Sequence, residues 1–100
     1  MRALLIRSKS PLKELADQIY GRIFNAKYEE RESVNKGGLY YRAYGLFCDF
    51  SLIEYNEHEF LIITDSKALF KDETELNELI YSKIKLKLNG RDIESEVVEI

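Results

Sequence analysis

The chain is poor in the residue types that most often carry catalytic or metal chemistry. Its 100 residues include no tryptophan and one each of cysteine, histidine, proline and methionine. A lone cysteine, Cys48, excludes a disulfide within the chain and fits a reducing compartment. A lone histidine, His58, has no second histidine with which to complete a metal site. We therefore predict no catalytic residue, no metal site and no cofactor.

Long apolar runs are also missing. Only four apolar residues separate Arg2 from Arg7, which is fewer than the core of a signal peptide needs. No run approaches the roughly 18 apolar residues of a membrane-spanning helix. We expect a cytoplasmic protein with no membrane partner. Abundant lysine, isoleucine, asparagine and tyrosine are typical of AT-rich genomes, in which small domains of phages and mobile elements are frequent.

The overall composition is that of a globular protein. The chain is 45% hydrophobic and 33% charged, with a net charge of −3. An acidic balance argues against a surface that is basic throughout and built for phosphate. The length suits one α+β domain spanning residues 1–100.

Strand-like and helix-like segments alternate along the chain. Residues 3–7 are predicted to form a strand, and apolar side chains at helical spacing (Leu12, Leu15, Ile19, Ile23) predict a first helix. The polar segment 25–36 either extends that helix or forms a mobile linker. Residues 37–64 read as one long β-hairpin. A second helix follows, with an apolar stripe that ends near Ile84, and residues 93–100 form a last strand.

This order, β-α-β-β-α-β, is that of the split βαβ or ferredoxin-like fold. We predict an antiparallel sheet with both helices on one face and the other face open. Residues 83–88 allow two interpretations. Their period-two alternation before Asn89-Gly90 indicates an extra C-terminal hairpin strand, whereas a helix reaching Leu88 and ending at Gly90 fits equally well.

The hairpin register predicts which side chains the open face carries. A turn at Asn56-Glu57 places Leu52 opposite Leu61 and both on the helix side. A bulge at Gly45 then keeps the preceding tyrosines on the other side. The open face is predicted to present eight residues: Tyr40, Arg42, Tyr44, Phe47, Ile53, Tyr55, Phe60 and Ile62.

A contiguous aromatic patch of this size is typical of a contact surface, and tyrosine and arginine are frequent interface anchors. We therefore predict a non-enzymatic protein-binding module that uses this face or a sheet edge. The partner is another protein or a second copy in a homodimer, as for an inhibitor, an immunity or anti-defence factor, or a subunit of a complex. The alternative is that another part of the chain covers the face within the monomer.

Two further functions rest on particular residues. The segment from Arg42 to Phe47 (RAYGLF) resembles the RNA-binding strand signature of RNA-recognition motifs, and residues 88–93 (LNGRDI) resemble the segment before that family's last strand. The resemblance implies RNA or single-stranded nucleic-acid binding, with Tyr44 stacking on a base and Arg42 contacting phosphate. Ala43 replaces the family's glycine. A small metal-dependent nuclease using Asp49 and Asp65 is the second alternative.

Overall fold

A computed structural model describes residues 2–33, 38–44, 48–66, 73–90 and 93–99. Their elements, in chain order, are β1 (Arg2–Arg7), α1 (Leu12–Ala16), a π-helical turn (Asp17–Ile23), β2 (Tyr28–Ser33), β3 (Gly38–Tyr44), β4 (Cys48–Asn56), β5 (Glu59–Ser66), α2 (Glu73–Asn89) and β6 (Glu94–Glu99). The α+β class is confirmed.

The six strands within the described residues form a single antiparallel sheet in the order β2-β3-β4-β5-β1-β6. The sequence order differs from the prediction at β2, because residues 28–33 pair with β3 instead of extending the helix or forming a linker. Tyr41 of β3 donates a hydrogen bond to Glu30 of β2 at 2.7 Å, which helps to hold this charged strand at the sheet edge.

The first helix begins as predicted and then widens. Leu15 and Ile19 are buried, as the helical spacing requires. After Ala16, however, each backbone hydrogen bond joins residues five positions apart instead of four. For example, the N–H of Phe24 donates to the carbonyl of Ile19 at 3.0 Å. This is a π-helical turn, an uncommon element that is found frequently at functional sites.

The β4–β5 hairpin turns one residue later than predicted. The turn residues are Glu57 and His58, and His58 adopts the left-handed conformation (φ 59°). Tyr55 forms a bulge between the paired residues Glu54 and Asn56. Leu52 therefore lies opposite Ile62 instead of Leu61, and this shift moves every β5 side chain to the other face.

Both helical segments cover the same face of the sheet. Leu4, Leu52 and Ile62 on this helix-covered face form one core cluster with Leu15 and Ile84. The opposite face carries a smaller cluster of buried strand residues: Ala3, Leu5, Leu61 and Ile63. The predicted arrangement of the helices on one face therefore matches the structure.

Residues 83–88 belong to α2, so the alternative of an extra hairpin strand is wrong. Ile84 and Leu88, one turn apart, are buried, and the helix ends just before Gly90. The N–H of Gly90 still donates to the carbonyl of Leu86 at 3.2 Å. Within the described residues, no helix is both long enough and apolar enough to cross a membrane.

Candidate functional site

The candidate site is the opposite face of the sheet together with its two edges. An apolar centre, formed by the smaller cluster and by half-buried Ile53 and Val98, lies between two groups of charged side chains. One charged group lies on β2, β3 and β4, and the other on β1, β5 and β6. An apolar centre with a polar rim is the usual anatomy of a protein interface.

The first charged group surrounds Arg42. Its guanidinium lies 3.1 Å from the Asp49 carboxylate, and the side chains are only 19% and 15% exposed. It also donates to the Ser51 hydroxyl at 3.3 Å and lies 5.9 Å from the centre of the Tyr44 ring. Arg42 is therefore held by residues of its own sheet, and its position is fixed.

Tyr44 and β2 complete this group. The Tyr44 hydroxyl donates to Glu29, and Arg31 contacts the same carboxylate at 2.5 Å. These two partners, Tyr44 first, lower the pKa of Glu29 below its ordinary value. The Glu29 carboxylate in turn raises the pKa of Tyr44. At neutral pH the pair is an ionised carboxylate bound to a neutral phenol.

The second charged group surrounds Arg7. Its guanidinium lies 2.7 Å from Glu96 and 3.5 Å from both Glu59 and Glu94. The hydrogen bond to Glu96 is the main reason why the pKa of Arg7 is raised. Three carboxylates against one guanidinium leave this group with a net charge of −2, which makes the β6 side of the sheet acidic.

The structure brings together only part of the predicted patch. Tyr40, Arg42, Tyr44 and Ile53 share the opposite face, as predicted, but Tyr40 is buried and Ile53 is half-buried. The large exposed rings are Tyr44 and Tyr55, at 41% and 53%. Tyr44 on β3 lies beside Asp49 at the start of β4, and Tyr55 lies near the end of β4, so the two rings are about 20 Å apart at 3.3 Å per residue. The predicted continuous aromatic surface is therefore absent from the described residues.

Two of the predicted residues lie elsewhere, which is a correction. Phe60 and Ile62 are 3% and 1% exposed and belong to the core beneath the helices. The one-residue change of register caused by the Glu57-His58 turn explains their position. Phe47 and the proposed bulge at Gly45 lie outside the described residues.

The sheet has two outer strands, and they differ. On β2, Glu29, Glu30 and Arg31 are bonded to side chains of the same sheet. On β6, the register with β1 is regular over all six residues, and no described residue pairs with its outer side. Val97 of β6 is 42% exposed. The sequence analysis allowed for binding at a sheet edge without identifying which strand forms it; three glutamates in the last strand were the visible signal.

The residues considered as candidates for catalysis or metal binding do not form one cluster among the described side chains. His58 is exposed at the hairpin tip, with Nε2 3.6 Å from the Glu57 carboxylate. Asp49 pairs with Asp65 across β4 and β5, where the predicted register had separated them. The side chains of Asp65 and Cys48 lie outside the description. Among the described side chains, no three histidine, cysteine, aspartate or glutamate residues are grouped to hold a metal ion.

Comparison with family models, curated proteins and solved structures found no match for this chain.

Proposed function

We propose that this protein is a non-enzymatic protein-binding module, and that its outer strand β6 binds an extended segment of another protein. The observation that carries the proposal is the regular outer side of β6, with which no strand of the described residues pairs. An edge strand presents a row of unpaired N–H and C=O groups, which can template pairing with a strand from another chain.

The chemistry of the edge favours a basic partner. Three of the six β6 residues are glutamates: Glu94 and Glu96 lie on the same face as Arg7, which is the described cation that contacts both, and Glu99 lies on the other face. Edges that avoid pairing commonly carry lysine, proline or a bulge. β6 contains neither lysine nor proline, and its pairing with β1 has no irregularity. A strand with lysine or arginine at alternate positions would complement it.

A second copy of this chain is a poorer partner for the same edge. Antiparallel pairing of β6 with itself would bring glutamates of two acidic strands together, and like charges directly opposite are destabilising. The net charge of −3 on each chain adds to this repulsion. We therefore assign the edge to a basic partner, which is the mode of action expected of a small inhibitor, immunity factor or subunit.

We also propose that β1, β4, β5, β6 and the two helical segments form a ferredoxin-like core, with β2–β3 as an added hairpin. Without that hairpin, the chain order is β-α-β-β-α-β, and the sheet order is β6-β1-β5-β4. A cytoplasmic setting agrees with the lone Cys48. In this arrangement β6 is an outer strand of the core itself.

The test uses two synthetic peptides, one of alternating lysine and valine and one of alternating glutamate and valine. We expect the lysine peptide to protect outward-facing β6 amides from hydrogen exchange, and the glutamate peptide to have no effect. Val97→Lys should weaken binding about tenfold or more, because it adds a like charge at the edge. Leu39→Lys is the matched control, since Leu39 is also 42% exposed, and it should leave binding unchanged.

Three results would overturn the proposal. The first is protection outside β6, or none at all, with the lysine peptide. The second is equal binding of both peptides. The third is a concentration-dependent dimer in light scattering that Val97→Lys dissociates, because the edge would then belong to a second copy. Salt-sensitive protection of the same β6 amides by a single-stranded oligonucleotide, added without either peptide, would assign the surface to nucleic acid instead.

A further inference from the structure

The second half of α2 carries a basic surface that faces solvent. Residues 82–89 contain three lysines, Lys83, Lys85 and Lys87, and no acidic residue. Within the described residues, none of these lysines forms an ion pair. Lys87 instead lies 5.0 Å from the centre of the Phe24 ring. This part of the helix is therefore positively charged, and no described carboxylate is bound to it.

Leu86 lies among these lysines and points away from the sheet. It is 76% exposed, the highest value among the exposed large apolar side chains of the described residues. Ile84 and Leu88 are buried against the sheet, and each is two positions from Leu86, which is about 200° around the helix. The outward side of α2 therefore presents one apolar side chain surrounded by cations. We call Lys83, Lys85, Leu86 and Lys87 the α2 surface.

The same molecule carries a complementary surface on the other face of the sheet. The group around Arg7 has a net charge of −2, and Arg7, Glu94 and Glu96 are all exposed. Half-buried Val98 lies two residues after Glu96 on the same face, beside this group. Lysines around an exposed leucine match carboxylates beside a partly exposed valine, both in charge and in polarity.

The fold keeps the two surfaces apart within one chain. α2 packs against β6 and β1 on the helix-covered face, whereas the group around Arg7 projects from the same two strands on the opposite face. A second copy, displaced perpendicular to the sheet, brings its α2 surface onto the acidic group of the first. Contact between two different surfaces is head-to-tail, so each copy in such an assembly can bind one neighbour on each side.

We propose that the α2 surface binds the acidic group around Arg7 of a second copy of this protein, in a head-to-tail association. Leu86 packs against Val98 of that copy, and the lysines pair with Glu94 and Glu96. The contact is independent of strand pairing at the β6 edge. Strand pairing uses backbone groups in the plane of the sheet, whereas this contact uses side chains that project from the two sides of the molecule.

The net charge of −3 on each copy opposes the association, and its range differs from that of the contact. At ~100 mM salt the Debye length is about 10 Å, so salt screens the repulsion between distant charges more than the attraction between touching ones. At ~1 M salt the Debye length is about 3 Å, and the attraction is screened as well. We therefore expect a weak association that high salt reverses.

The experiment follows the average mass of the full chain by sedimentation velocity over a range of protein concentrations. We expect the mass to rise with concentration at ~100 mM salt and to return to that of the monomer at ~1 M. Leu86→Glu should weaken the association about tenfold or more, because it places a carboxylate against Glu94 and Glu96. Leu39→Glu is the matched control. Leu39 is an exposed leucine on β3, so its substitution should leave the association unchanged.

A charge exchange tests whether the two surfaces bind each other. Lys83→Glu with Lys85→Glu makes the α2 surface acidic, and Glu94→Lys with Glu96→Lys makes the group around Arg7 basic. Each double variant alone should remain a monomer, because like charges then face each other. An equimolar mixture of the two should associate, because opposite charges meet again at every contact. Circular dichroism checks that each variant is folded.

The proposal is overturned if the wild type stays a monomer at every concentration, if Leu39→Glu weakens the association as much as Leu86→Glu, or if the mixture of double variants does not associate. An association that Val97→Lys abolishes and the charge exchange leaves unchanged would also overturn it, because the second copy would then lie at the β6 edge. A monomer that binds a polyglutamate peptide or an oligonucleotide through Lys83 and Lys85 would assign the α2 surface to another polyanion instead.

Discussion

The core beneath α2 and the core beneath the π-helical turn each bury a tyrosine, and they treat its hydroxyl differently. Tyr81 of α2 is fully buried, and its oxygen is 3.2 Å from both the backbone nitrogen and the hydroxyl of Thr64 on β5. Tyr20 is buried almost as deeply, beside a cavity and without a described partner. The same hydroxyl contacts its neighbours in one region and has no described partner in the other.

The difference follows from how the two helical segments pack. α2 is regular, and its buried residues face the sheet at α-helical spacing, so Tyr81 reaches β5 directly. The first helix changes to π-helical bonding before it reaches Tyr20, and a cavity lies between this segment, α2 and the sheet. The two tyrosines therefore differ in their packing environment, and not in residue type.

The largest expected effect compares two residues of α2 that lie one turn apart. Leu88→Ala, in the filled region, should lower the free energy of unfolding by about 3–5 kcal/mol, because it opens a new void. Ile84→Ala should cost less, about 2–3 kcal/mol, because Ile84 already lines the cavity and has fewer contacts to lose. Urea unfolding followed by circular dichroism measures both values.

If Ile84→Ala proved as costly as Leu88→Ala, the cavity would be filled by neighbouring side chains in solution. The contrast between the two regions would then fail. Both residues are buried, at 5% and 0% exposure, so a difference in exposure would not account for unequal costs.

A smaller difference in stability is expected when the hydroxyls of Tyr81 and Tyr20 are removed one at a time. Tyr81→Phe should destabilise the protein by about 1–2 kcal/mol, because it removes the oxygen that contacts both the backbone N–H and the hydroxyl of buried Thr64. Tyr20→Phe should leave stability unchanged or raise it by up to about 1 kcal/mol, because the hydroxyl it removes is unbonded. Thermal and urea unfolding of the two variants compare them directly, and a loss of stability in Tyr20→Phe would show that its hydroxyl is bonded.

The elements that the sequence predicts well are those with a strong apolar period. Leu15 and Ile19 identify the first helix, and residues 94–99 lie within the predicted last strand. Strand β2 was not predicted because its sequence, YEERES, does not alternate between apolar and polar residues. Its partners, Tyr41 and Tyr44 on β3, come from farther along the chain. Tertiary contacts, and not intrinsic β-propensity, determine whether such a segment forms a strand.

Part of the predicted site was wrong because the β4–β5 register differs from the predicted one by one residue. Asn56-Glu57 has the composition of a tight turn, but the chain turns at Glu57-His58 and absorbs the offset in a bulge at Tyr55. Phe60 and Ile62 moved into the core as a result. The cavity is less predictable still. It is the space left between side chains of elements that are distant in sequence.

The smallest effect concerns a third tyrosine hydroxyl, which has a partner but lies at the surface. Tyr44 donates to Glu29, and the pKa of Glu29 is lowered, by Tyr44 first and then by Arg31. A carboxylate whose pKa is lower in the folded state contributes stability above its unfolded pKa, near 4.5. That contribution is lost as the pH falls through the lower folded value. We expect an NMR titration to place the Glu29 midpoint below 4.5.

Tyr44→Phe should raise that midpoint toward the ordinary value without reaching it, because Arg31 still contacts the carboxylate. Tyr55→Phe should leave the midpoint unchanged. Solvent screens exposed pairs strongly, so the stability lost in acid through this pair should be slight beside the effect of Tyr81→Phe. A midpoint that Tyr44→Phe does not move would mean that the hydroxyl and the carboxylate are not bonded in solution. Tyr44 would then resemble Tyr20, as a hydroxyl without a partner in the protein.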